Sequence, residues 1–165
     1  MAQLSCLLSS RYDIYELGPG RKLDDKQDEK GILESSDKLL ALIDAEAAKV
    51  GYKNVFIGGF SQGSAMSMLT ALRCPHELGG VVAASGYGLL ANKAEELIKT
   101  KTTPMLVYHG MDDQVVPLQY ARATQQFFKA QGVANIEYFE EPRLSHSLSQ
   151  QEIVKFKQFY TKHMN

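Results

Sequence analysis

The chain has 165 residues, 44% of them hydrophobic and 22% charged, with a formal net charge of −1 at pH 7. That length fits one domain able to bury roughly 70% of the surface its unfolded chain exposes, and the near-neutral charge, with basic residues scattered along the chain, argues against a nucleic-acid partner. Cys6 and Cys74, far apart in sequence, supply neither a disulfide framework nor metal-ligand spacing, no stretch has the apolar length of a bilayer span, and the first ten residues lack the basic segment of a secretory signal. The expectation is a cytoplasmic protein with reduced thiols, no metal and no cofactor. Its membrane contact would be at most transient, for instance through lipidation of Cys6.

In chain order, residues 11–17 read as a short edge strand or an ordered loop, broken by Gly18-Pro19-Gly20. The mixed-charge run 21–30 alternates in sign without an interleaved aromatic and reads as a solvated loop. From 31 to 50 the period is helical: Ile32, Ser36, Leu39, Leu40, Ile43, Ala47 and Val50 share one face, and Gly51 follows as a C-cap. The run 54–60 is apolar and passes through Gly59-Phe60-Ser61-Gln62-Gly63 into a helix over 64–73, which Pro75 stops.

Residues 80–86 and 104–110 are short, unalternating apolar runs, the pattern of strands buried on both faces. Between them 92–101 reads as a short exposed helix. Pro117 opens a helix to about Gln131 with Tyr120, Ala121, Thr124, Phe127 and Phe128 inward. The run 135–140 alternates, so it belongs nearer a sheet edge. Ser149-Gln150-Gln151-Glu152 is a capping box that opens a last helix with Ile153, Phe156 and Tyr160 packed inward. Strand and helix alternating with short connections make one α/β domain over residues 1–165, a mostly parallel sheet with helices on both faces. A mixed-charge loop occupies about 18–30.

In such a sheet, functional groups collect at the carboxyl ends of the strands. A serine with glycine two residues to each side, at a strand-to-helix turn, is the nucleophile-elbow pattern. The turn is tight enough that side chains at 59 and 63 are expected to strike backbone, which glycine avoids. The pattern alone is weak, and its strand–helix context strengthens it. Ser61 could instead cap its helix, although a cap requires neither glycine. Asp112 and Asp113 follow the third strand, where one or both could be turn formers, and His146 follows the fourth. Ser, Asp, His is the chain order of the α/β-hydrolases. A serine hydroxyl needs an imidazole to take its proton, and the imidazole needs a carboxylate to set its tautomer. Of the other histidines, His76 lies beyond the wrong end of a helix, His109 is within or just after a strand, and His163 is in the C-terminal tail. The glycines do not have dinucleotide-binding or P-loop spacing.

Gly59-Phe60-Ser61-Gln62-Gly63 with its strand, Ser85-Gly86-Tyr87, the run from His109-Gly110 through Asp113 to Val115-Val116-Pro117, and the loop histidine resemble the acyl-protein thioesterase/lysophospholipase–carboxylesterase family. The resemblance extends from about residue 12 to the C-terminus. It implies an α/β-hydrolase-like fold, with Asp113 rather than Asp112 as the acid, His146 as the base, Ser61 as the nucleophile and the Gln62 N–H as an oxyanion donor. It further implies hydrolysis of acyl thioesters or carboxylic esters, on S-acylated proteins or lysophospholipids, through an acyl-enzyme. Tyr87, Leu89, Leu90 and Val116 follow the strand ends and are expected to line the substrate pocket. Three departures from the family pattern stand out: Ser64 where members usually have glycine, Leu144-Ser145 before the histidine where glycine is frequent, and no L-H-G oxyanion loop or its strands before Tyr12.

By that pattern the chain is N-terminally shortened, and its elbow strand becomes an apolar sheet edge. Residues 4–8 could cover that edge, another copy could pair with it as a homodimer, or the sequence could be a short form of a longer protein. The alternative to a hydrolase is a weak or inactive form that binds acyl chains or protein.

Overall fold

The computed structural model describes residues 12–14, 23 and 25–164. Among the described residues five α-helices and four strands alternate: α1 (Glu29–Val50), β1 (Phe56–Phe60), α2 (Gln62–Arg73), β2 (Gly80–Ala84), α3 (Ala94–Leu97), β3 (Met105–Gly110), α4 (Leu118–Ala130), β4 (Ile136–Glu141) and α5 (Gln150–His163). Every pair of neighbouring strands is parallel, in the spatial order β1-β2-β3-β4. The parallel sheet with helices on both faces expected from the strand–helix alternation is what forms.

The period-2 geometry of a strand sends alternate side chains to opposite faces. Ile57, Val81, Ala83, Met105 and Val107 face a core made with Ile43 and Ala47 of α1, Met68, Ala71 and Leu72 of α2, and Phe128 of α4. Phe56, Val82, Leu106, Tyr108 and Phe139 face Phe156 and Phe159 of α5. Because both faces are covered, β2 and β3 must be apolar throughout, which is why their sequences do not alternate. β4 is half-buried along its length at one end of the sheet, in keeping with its alternating sequence. Among the described residues β1 forms the other end, pairing only with β2. Residues 4–8, the candidate cover for that edge, lie outside the described residues, as do most of 11–17.

Helix ends follow local chemistry. Asp28 accepts a hydrogen bond from the Gly31 N–H at 3.1 Å and so satisfies a free donor of α1. Gly51, at φ 81°, closes that helix with its N–H on the Ala47 carbonyl. The capping box of α5 is complete: Ser149 Oγ accepts from the Glu152 N–H, and the Glu152 carboxylate accepts from the Ser149 N–H.

Three expectations are corrected. The mixed-charge run is not simply a solvated loop. Its last residues start α1, and Gln27 accepts the Leu90 N–H at 2.9 Å, which ties the run to the segment after β2. The helix expected over 92–101 is a 3₁₀ turn followed by the single-turn α3. It stops because the Lys99 and Thr100 N–H groups turn to the Leu72 carbonyl, and its Ala94 and Leu97 are buried. In α5 the inward residues are Glu152 and Phe159, with Phe156 half-buried and Tyr160 exposed. The spacing 152, 156, 159 is one helical stripe, and Gly80 leaves the room that the Phe159 ring fills.

Glu152 is 1% exposed and its Oε1 has no hydrogen-bond partner. Burial pushes its carboxyl up to about 7; the Ser149 N–H opposes this and nearby Glu141 adds to it. An acid raised in the folded state makes stability fall as pH rises from the unfolded value through the folded one. The penalty therefore develops between the ordinary glutamate range and about pH 7. Glu152→Gln keeps an acceptor for the Ser149 N–H but cannot ionise. Its Tm, read by scanning calorimetry, should match wild type near pH 4 and exceed it at pH 8 by about 2–4 °C or more.

Candidate active site

The carboxyl ends of β1, β3 and β4 lie on one edge of the sheet, and Ser61, Asp113 and His146 follow those three strands in turn. Between β1 and α2 the backbone of Ser61 adopts φ 56° and ψ −119°. A non-glycine residue at positive φ costs about 1–3 kcal/mol and persists only where its surroundings hold it. Here the Ser61 N–H donates to the Ala84 carbonyl at 2.9 Å, and the nine buried residues of α2 from Ser64 to Leu72 fix the helix that follows. Ser61 occupies the N-cap position of α2, yet its side chain makes no capping hydrogen bond. Helix capping therefore does not account for this serine.

The two glycines of the elbow have different roles, which corrects the symmetric expectation. A side chain at Gly59 would put its Cβ 2.5 Å from the Gly63 carbonyl oxygen and 2.8 Å from the Ser64 nitrogen, both backbone atoms. A side chain at Gly63 would meet nothing within 4 Å. Strand and helix thus cross at a distance only Gly59 permits, whereas Gly63 contributes backbone alone.

Asp113 is 5% exposed and fully bonded. Its Oδ1 accepts the N–H groups of Val115 at 2.9 Å and Val116 at 2.8 Å, and its Oδ2 accepts from His146 Nδ1 at 2.7 Å. A carboxylate bonded in this way at 2.7–2.9 Å makes charge-assisted hydrogen bonds, about twice as strong as neutral ones. Asp112 is exposed, and its backbone N–H donates to the Leu144 carbonyl; of the pair, only Asp113 reaches His146. With Nδ1–H committed to Asp113, the neutral His146 ring keeps Nε2 as its proton acceptor. The side chain of His146 is 17% exposed, and its ring packs on Phe60, the residue before Ser61, with centroids 4.6 Å apart.

The loop carrying His146 reaches this position because β3 ends in glycine. A Cβ at Gly110 would lie 2.8 Å from both the Leu144 carbonyl carbon and the Ser145 carbonyl oxygen. Leu144 and Ser145, where the family pattern often has glycine, are accommodated by the missing side chain across the gap.

Gln62 is the first residue of α2, so its backbone N–H has no acceptor within the helix, and its side-chain Nε2 donates to the Tyr12 carbonyl at 2.8 Å. The four expected pocket residues, Tyr87, Leu89, Leu90 and Val116, are all buried in one cluster with Tyr12, Met66, Leu69 and Tyr120. Tyr87 and Tyr12 share a hydroxyl–hydroxyl hydrogen bond of 2.7 Å, and burial raises the Tyr12 phenol above its ordinary range. Leu89 and Leu90 also line a small apolar cavity of about 10 Å³ with Leu69, Leu97 and Phe128. That is about the room one water needs. Phe60 and the buried His109 also adjoin the site. Phe60 lies within the serine motif and His109 opens the run that carries Asp113, the signal that could have marked them.

A serine turn, a carboxylate and an imidazole at the ends of parallel strands, in that chain order, place the protein in the α/β-hydrolase class. The family model described as Phospholipase/Carboxylesterase matches residues 9–164, and the chain belongs to that family. Acyl-protein thioesterase 1 of Aspergillus fumigatus is 32% identical over 161 aligned positions, covering 92% of this chain and 66% of that protein. Carboxylesterase SOBER1 of Arabidopsis thaliana is 35% identical over 153 positions, covering 89% of this chain and 64% of that one. The crystal structure of Arabidopsis SOBER1 superposes with a TM-score of 0.84 at 30% identity over 93% of this chain and 73% of that one. The chain therefore spans just under two thirds of the length of the curated relatives it matches.

Two substitutions separate the glycine roles. Gly63→Ala adds an alanine to the first turn of α2 in open space and should leave Tm unchanged or raise it by up to about 4 °C, since alanine exceeds glycine by about 1 kcal/mol in a helix. Gly59→Ala forces strand and helix apart and should lower Tm by about 4 °C or more. Thermal melts of the two variants beside wild type give both numbers.

Proposed function

We propose that this chain is a serine hydrolase that cleaves carboxylic esters or thioesters through Ser61, His146 and Asp113. The observation that carries the reading is the 2.7 Å bond from His146 Nδ1 to the buried Asp113, with the imidazole ring packed on Phe60, the residue before a strained serine whose side chain makes no capping bond. His146 Nε2 takes the Ser61 Oγ proton as Oγ attacks the acyl carbonyl carbon. The Gln62 N–H donates to the oxygen that becomes negative. Asp113 stabilises the imidazolium formed and holds its orientation. When the tetrahedral intermediate collapses, the bond to the thiol or alcohol breaks and His146 returns its proton to that leaving group. Water then attacks the acyl-Ser61 ester with His146 again as base, releasing the carboxylic acid and restoring the serine.

The names of the relatives, thioesterase and carboxylesterase, support an acyl substrate. The surroundings of the pair fit one as well. Phe60, Met111, Val115 and Leu148 are exposed apolar side chains within two residues of Ser61, Asp113 or His146 in sequence, where an acyl chain could shed water on approach. An S-acylated protein or a lysophospholipid would present such a chain.

A fluorophosphonate probe should label wild-type protein once per chain, at Ser61, as mapped by peptide mass spectrometry. Ser61→Ala should abolish the label and lower p-nitrophenyl ester kcat by about 10⁴-fold or more. Folded wild-type protein that takes no label, or turnover equal to that of Ser61→Ala, would instead favour a module that binds acyl chains or protein without catalysis.

A further inference from the structure

His109, the penultimate residue of β3, is completely buried and has no part in the proposed acyl transfer. Its Nε2–H donates to the Val116 carbonyl at 2.8 Å. The same nitrogen lies 3.5 Å from Asp113 Oδ2, the oxygen bonded to His146. Its Nδ1 has no hydrogen-bond partner. For stability alone this is a poor choice of side chain. A buried acceptor left unmatched costs about 1–3 kcal/mol, and an apolar residue of similar size would avoid that cost.

The geometry instead closes a ring of contacts around the acid. The Val116 carbonyl accepts the hydrogen bond from the His109 imidazole, and the Val116 N–H donates to Asp113 Oδ1. The turn that grips one carboxylate oxygen is therefore pinned from behind by His109, which also sets a partial positive N–H edge near the other oxygen. Burial lowers the readiness of His109 to take a proton, against the Val116 carbonyl and Asp113, with His146 adding to the lowering and Glu140 opposing it. Among the described residues, Asp113, His146 and Glu140 are the charged and titratable side chains that act on it.

We infer that His109 is a positioning residue, which holds the Asp113 turn so that Oδ2 faces His146. The inference rests on the proposed hydrolase reading for its kinetic consequence, but not for its structural one. Three variants separate the possibilities. His109→Gln places an N–H donor near the Nε2 position, His109→Asn places it near Nδ1 instead, and His109→Phe fills the space without a donor.

In p-nitrophenyl ester assays normalised to folded protein, His109→Phe and His109→Asn should lower kcat about ten- to a hundredfold with KM little changed, the scale of a misplaced catalytic group. The acid limb of their kcat/KM profile should move to lower pH, because an imidazolium less well matched to its carboxylate is less favoured. His109→Gln should stay near wild type in both respects. Wild-type kcat and an unmoved acid limb in His109→Phe and His109→Asn, even with a lowered Tm, would reduce His109 to packing and overturn the inference. If wild-type protein proves to have no turnover, the hydrolase reading fails separately. The positioning role is then decided by the His146 ring tautomer in ¹⁵N NMR. It should be the Nδ1–H form in wild type and His109→Gln, and should shift toward Nε2–H in the other two; the same tautomer in all four proteins would overturn it.

Discussion

Asp113 is the point where separately encoded pieces of this chain are tied together. Its two oxygens take hydrogen bonds from the turn after β3 and from the loop after β4, and both depend on a carboxylate buried at the sheet edge. A buried charge with its partners removed costs several kcal/mol, so the turn and the loop hold their conformations partly because Asp113 needs them. The contact is possible only because β3 ends without a side chain. Leu144 and Ser145 pass across Gly110 at a separation that no Cβ could share, which brings His146 down to the carboxylate. The packing of one loop on one glycine thus precedes the electrostatics of the Asp113–His146 pair.

The serine turn obeys a similar rule on the other side of the site. β1 and α2 cross with the Gly59 α-carbon against the backbone of Gly63 and Ser64, and Ser61 is left at a positive φ that its own chemistry disfavours. That strain is sustained by burial of α2 and by the bond to Ala84. The Gln62 side chain adds a tie to the Tyr12 carbonyl, which links the turn to the early part of the chain. Rigid packing on both sides of the sheet edge fixes the serine turn and, through Phe60 under the His146 ring, its relation to the loop after β4.

Much of this architecture is legible in the amino-acid sequence. Strands covered on both faces must be continuously apolar, so 80–86 and 104–110 stand out, and glycine and proline mark most helix ends. The capping box of α5 is readable because it is a local, reciprocal pair of hydrogen bonds. What depends on three-dimensional crossing is not readable. Gly59 and Gly63 look equivalent in sequence, yet only one lies at the contact. Tyr160 fits an apolar stripe as well as Phe159 does, until the space above Gly80 selects between them. Asp112 and Asp113 are indistinguishable as residue types; the family motif favours the second, and the structure adds the physical distinction that its side chain turns inward to the Val115 and Val116 N–H groups while Asp112 faces solvent. His109 opens the motif that carries Asp113, yet nothing in that motif shows that its ring reaches a carbonyl seven residues away.

The central claim is that Ser61 and the Asp113–His146 pair act as one unit, and a double-mutant cycle tests it most directly. Ester hydrolysis would be measured for Ser61→Ala, Asp113→Asn and the double variant, each normalised to folded protein. Groups that work as a unit lose nearly everything at the first removal, so the double variant should be no slower than Ser61→Ala alone. If the two losses instead multiply, the pair and the serine act independently, and the claim of a single catalytic unit is wrong.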